Sequence, residues 1–151
     1  MGRLILVGQQ SMTLSLVKKR YYAIAQQLGA PTKHVRFATT PQHDGSPHVE
    51  YEGPELHYVV TERGQEFERR KTRDPDEMLY WFISDLTWSM ASDWELAHRV
   101  KGEDFRRQLF RKDIELLSTI NEDWASRKRT KYEKLLGEPY PFQRSGGQPG
   151  A

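Results

Sequence analysis

His48, Glu50 and Glu52 recur on alternate positions, so on a β-strand all three project from one face, and His57 follows on what reads as the next strand. Imidazole and carboxylate at that spacing can bind a divalent ion, which opens one reading: a small metal-dependent hydrolase or nuclease built on His48, Glu50 and His57. No HExxH-type spacing accompanies these residues, and the plainer reading is the outward polar face of a half-solvated sheet. His43-Asp44 is too short to be a hydrolase motif, and the positions of Ser, His and Asp specify no triad. Neither Gly-x-Gly-x-x-Gly nor Gly-x-x-x-x-Gly-Lys occurs, so no phosphate-cradling loop is expected. With no cysteine in 151 residues, disulfides, thiolate metal sites and Cys nucleophiles are all excluded, which fits a reducing compartment. The expectation is a protein that is not an enzyme and carries no cofactor or metal.

Two basic runs beside aromatics, Lys18-Lys-Arg-Tyr-Tyr22 and Arg127-Lys-Arg-Thr-Lys-Tyr132, have the composition of a nucleic-acid surface. A nucleic-acid-binding adaptor is therefore another reading. Consecutive residues spread around a helix, however, and Glu133 and Glu138 interrupt the second run; solvated helix faces explain both runs more simply.

The sum of charges is only +2, but its distribution is uneven. Residues 74–104 hold two basic and eight acidic groups, while both flanks are basic. An acidic middle suits a basic partner better than it suits nucleic acid. Met1 to Gly8 contains an apolar run of four residues without a small-residue cleavage site behind it, which fails as an export signal, and no stretch approaches the roughly 20 apolar residues of a membrane span. A cytoplasmic protein without a membrane role is expected.

The elements that position these residues follow from periodicity. Leu14, Val17, Tyr21, Ile24, Ala25 and Leu28 make a helical stripe over 11–28, stopped by Gly29 and Pro31. From Val35 to Lys71 the period becomes two: Val35 and Phe37, Val49 and Tyr51, Leu56, Tyr58 and Val60, then Phe67. That predicts a three- or four-stranded antiparallel meander with a tight turn at 62–65. Asp74-Pro-Asp-Glu77 predicts a helix start, with Asp74 as N-cap and Glu77 reaching back to its amide. This helix is expected to run to about Arg99, a second from Glu103 to Ile120, and a third from the N-cap Asn121. The whole is an α+β domain over 1–143: an N-terminal helix, the meander, then three C-terminal helices packed on the sheet. Residues 144–151 read as a disordered tail.

On the helix opening at Asp74, Leu79, Phe82, Ile83, Leu86, Met90 and Ala97 form an apolar stripe. The opposite face carries Glu77, Trp81, Trp88 and Glu95, with Asp85 at its margin. Two indoles among carboxylates point to a partner-binding surface for these five residues, since Trp is enriched at interface hot spots and an acidic rim steers a basic partner. If the helix is central, both indoles are core instead. Asp93 falls within the apolar stripe, and on the next helix Arg106 and Asp113 project among Phe105, Leu109, Leu116, Leu117 and Ile120. A carboxylate in such a position requires a partner, so a semi-buried structural network of Asp93, Arg106 and Asp113 is expected, with Asp85 a further candidate member.

The stretches from Asp74 to Ala91, Asp104 to Phe110, Glu115 to Leu117 and Ile120 to Trp124, within a match of about residues 74–136, resemble the immunity protein 63 family. The resemblance implies an immunity protein of a bacterial polymorphic toxin system, which neutralises a cognate toxin domain by binding it and performs no catalysis. Its cognate partner would be that toxin domain. The slightly basic total charge departs from the acidity common among nuclease inhibitors.

Overall fold

The computed structural model describes residues 2–142, with side chains from Met12 onward. The expected tail, 144–151, lies outside the described residues. In order the chain forms α1 (Gly2–Leu28), a 3-10 turn (Thr32–His34), β1 (Asp44–Glu52), β2 (Glu55–Glu62), β3 (Gln65–Thr72), α2 (Pro75–Ala97), α3 (Phe105–Ser118) and α4 (Glu122–Leu136). It is an α+β fold of the expected order. Two compact units divide it, Met1–Ile83 and Ser84–Ala151, and the boundary falls inside α2. No helix among the described residues is long and apolar enough to cross a membrane.

In the first unit, β1, β2 and β3 form one antiparallel sheet in that order. The turn between β2 and β3 uses Arg63 and Gly64, both at positive φ (51° and 80°), the conformation that matches the twist of a two-residue hairpin. Val35–Phe37 forms no strand; that segment contributes only a parallel bridge from Ala38 to His48. The core gathers around Phe82 of α2, whose ring meets Phe37 at 4.5 Å, Tyr58 at 5.5 Å and Tyr21 at 6.1 Å. The Tyr21 hydroxyl, buried with its ring, accepts from the Arg36 amide at 3.0 Å and so ties the segment after α1 to the helix. At the start of α2, Asp74 caps as expected, accepting from the Asp76 amide at 2.9 Å. Its own amide donates to the Thr72 hydroxyl at 3.0 Å, so Thr72, close in sequence, takes the place foreseen for Glu77.

The second unit packs the rest of α2 with α3 and α4. Asp104 caps α3 and Asn121 caps α4, each through a side-chain oxygen, while Gly137 closes α4 in the left-handed region at φ 68°, where a side chain would be strained. The buried face of α3 is Leu109, Phe110, Asp113, Ile114 and Leu117, and that of α4 is Trp124, Ala125, Lys128 and Tyr132. Phe105, expected in the apolar face, is exposed. It lies instead under the Arg99 guanidinium, 5.3 Å from the ring centre. An Asp and a Lys thus sit in the middle of two apolar stripes.

Candidate partner-docking site

The polar sheet face in the first unit is not the solvated surface that alternation suggests. His48 and His57 are fully buried, and Arg69 of β3 reaches across the sheet. Its guanidinium donates to His57 Nδ1 at 2.6 Å and to Glu66 at 2.6 Å, and reaches Glu50 on β1 at 3.4 Å. An arginine cannot accept, so His57 Nδ1 is the acceptor and its ring proton is on Nε2. His48 Nε2 pairs with Glu50 at 2.7 Å. The bond from His48 and the charge of Arg69 hold the Glu50 carboxyl below its ordinary range, and Arg69 does the same for Glu66. These carboxylates already share a resident cation, Arg69, whose own pKa they push up. Among the described residues no group of three or more His, Asp or Glu is arranged to hold a metal ion.

Trp81 is half-buried. Its indole stands edge-on to Tyr58 at 5.9 Å, and Arg70 covers both rings, 4.1 Å from Tyr58 and 4.9 Å from Trp81. Glu77 is half-buried as well. Near the end of α2, Glu95 is only 2% exposed and bonds Arg99 at 2.6 Å, which removes its carboxylate from any contact surface.

Of the expected polar network, Asp113 is buried and bonded, but its partners are not Arg106 and Asp93. Arg106 turns to Asp104, the cap two residues before it, at 2.6 Å and holds that carboxyl at about 2; it makes no bond to Asp93. The local partner wins because the cap fixes Asp104 within reach of Arg106 before any distant group can compete. Asp113 instead accepts from the Lys128 ammonium and from the Tyr132 hydroxyl. Asp113 is 0% and Lys128 4% exposed. The Lys128 ammonium also donates to the Ser84 carbonyl at 3.1 Å. Burial pushes the Lys128 pKa down, opposed by the Asp113 charge. Asp93 is half-buried on α2.

Above this ion pair opens a cleft of about 220 Å³. Ser84, Asp85 and Trp88 of α2 form one wall, Phe110 of α3 the back, and Lys128, Lys131, Tyr132 and Leu135 of α4 the other wall. The Phe110 and Tyr132 rings stack at 3.9 Å, nearly parallel, and Trp88 stands 6.2 Å and 6.5 Å from them. Trp88 is 41% and Leu135 57% exposed. Of the five residues foreseen as partner-binding, Asp85 and Trp88 therefore share one concave site. Phe110, Lys128, Tyr132 and Leu135 were not foreseen, although their signal was present: Trp124, Lys128 and Tyr132 share one face at four-residue spacing, so the lysine interrupts an apolar stripe as Asp113 does on α3.

The α+β scaffold thus carries an open, partly aromatic cleft beside the buried Asp113–Lys128 pair. The immunity protein 63 family model matches residues 52–134, more than half of the chain, and the chain belongs to that family. No curated protein matches it, and no solved structure does.

Proposed function

We propose that this protein is an immunity protein that binds a cognate bacterial toxin domain and neutralises it by protein–protein contact, acting without catalysis in the cytoplasm of the bacterium that makes the toxin. Family membership supports a toxin as the partner. The observation that carries the docking surface is Trp88: a large indole left 41% exposed beside two stacked rings, where burying it against a partner would remove considerable apolar area from water. The stacked Phe110 and Tyr132 rings, backed by the Asp113–Lys128 pair, make that surface rigid, so little ordering cost remains to be met on binding. Asp85 borders the same site, whereas Glu77 and Trp81 belong to the first unit.

The test is co-expression with the toxin domain encoded beside the gene. The wild-type chain restores growth and co-purifies with the toxin domain; Trp88→Ala folds but loses protection. Failure of the wild-type chain to bind or protect would overturn the proposal.

A further inference from the structure

The cleft specifies the chemistry of what enters it. At about 220 Å³ it is smaller than the roughly 300–1,000 Å³ of sites that enclose metabolites or cofactors, and it is open on one side. That size suits one large side chain offered by a protein surface. Trp88, Phe110, Tyr132 and Leu135 give it an apolar, mostly aromatic part between polar groups, so the entering group is a ring that can stack against Trp88 and meet the Phe110–Tyr132 pair at the offset or edge geometry such rings prefer.

Charge decides what accompanies the ring. The carboxylates of Asp113 and Asp85 both act on the Lys128 ammonium, Asp113 through direct contact and Asp85 through space. Lys131, one turn further along α4 and exposed at the lip, has no ion-pair partner among the described residues, and neither has Lys134 beyond it. The lip therefore presents one cation, Lys131, that has no ion-pair partner among the described residues.

Resting on the immunity reading above, we infer that the cleft anchors an acidic-aromatic segment of the toxin domain, one aromatic side chain entering beside Trp88 and a neighbouring carboxylate pairing with Lys131. This reverses the expectation of a basic partner that the acidic middle of the sequence suggests, because Glu95 is consumed by Arg99 and Lys131 borders the place where, among the described residues, the exposed Trp88 indole meets the stacked Phe110 and Tyr132 rings.

The experiment titrates the full chain with two probes of the same ring and opposite charge, indole-3-acetate and tryptamine, followed by the amide and indole N–H signals in NMR. Indole-3-acetate is expected to move the Trp88 indole and Lys131 amide signals and to bind about three- to fivefold more tightly than tryptamine, the range of one exposed ion pair. Lys131→Glu, an exposed substitution, should reverse that order, and Trp88→Ala should abolish the response to both. Equal or tighter binding of tryptamine, or shifts that avoid Trp88, would overturn the inference. The titration needs no toxin, so its failure leaves the immunity reading to stand on the protection assay. A failed protection assay, in turn, leaves the ring and charge preference of the cleft measured but denies it a toxin.

Discussion

Lys128 of α4 lays its ammonium against the Asp113 carboxylate of α3 with both side chains withdrawn from water. A lone charge in that position would be strongly disfavoured, so the two helices are registered by the requirement that these groups meet. Lys128→Ala is expected to cost about 3–5 kcal/mol, because it leaves the Asp113 carboxylate buried without its cation. Lys128→Met combined with Asp113→Leu should recover most of that loss, since replacing a whole buried pair with apolar groups is close to neutral. Urea denaturation of the two variants checks the contrast; equal losses would mean that the pair does not register the helices.

The same pair gives stability a pH dependence of known sign. Burial lowers the folded-state pKa of Lys128 below its ordinary 10.5, so in the interval between the two values the unfolded chain binds more protons than the folded one. Stability therefore rises with pH through that interval. Relative to the doubly apolar variant, the wild-type chain should gain stability as pH increases toward 10.5. Paired melts over an alkaline pH series measure it, and a falling difference contradicts the assignment.

Arg69 sets a slope of the same sign in a different window, at acid pH. It holds the Glu66 carboxyl below its ordinary 4.5, and together with the bond from His48 it does so for Glu50. A lowered folded-state value contributes stability above the unfolded value and loses it as pH falls through the folded one. Arg69→Met should therefore destabilise most above the ordinary carboxylate range, and its deficit should shrink as acid is added. Thermal melts on the acid side read this directly; a deficit independent of pH would assign Arg69 a packing role alone.

How much of this arrangement was legible depended on the range of the interaction. Caps at Asp74 and Asn121, the turn at Arg63-Gly64 and the period of each helix are set by neighbours within a few residues, and periodicity reads them. Pairing across elements is another matter. Asp113 was recognisable as an odd residue in an apolar stripe, but Arg106 and Lys128 were both cations within reach of argument, and only packing decides which one faces it. Likewise the alternation of β2 predicts one wet face, yet Leu56, His57, Tyr58 and Val59 are all buried; Arg69 bonds His57 on the second face with a side chain whose direction no alternation records. The segment at Val35–Phe37 alternates like a strand but lies between Pro31 and Pro41, with too little chain to add a full partner to β1.

Trp81 and Trp88, two turns apart on one helix, should part company in experiment. Trp81 packs on Tyr58 beneath Arg70, and Trp81→Ala is expected to cost about 2–4 kcal/mol in folding. Trp88 has 41% of its surface in water, so Trp88→Ala should cost folding about 1 kcal/mol while removing about 2 kcal/mol or more from toxin binding, as for a central anchor. Denaturation and calorimetric titration against the toxin domain separate the two effects. A Trp88 variant that binds as wild type would move the anchor off the cleft.

Asp85 and Glu95 should separate in the same way, although both belong to the acidic middle of the sequence. Glu95 is buried and bonded to Arg99, so Glu95→Lys places an unpaired cation out of water beside a guanidinium and should cost about 3 kcal/mol or more. Asp85 borders the cleft and is half-buried; Asp85→Asn keeps the shape, removes the one carboxylate from its walls, and should leave the chain folded. With that charge gone, Lys131 acts on an incoming anion unopposed, and indole-3-acetate should bind about twofold more tightly. Weaker binding to Asp85→Asn would mean that the cleft prefers a cation, as the charge distribution along the sequence first suggests.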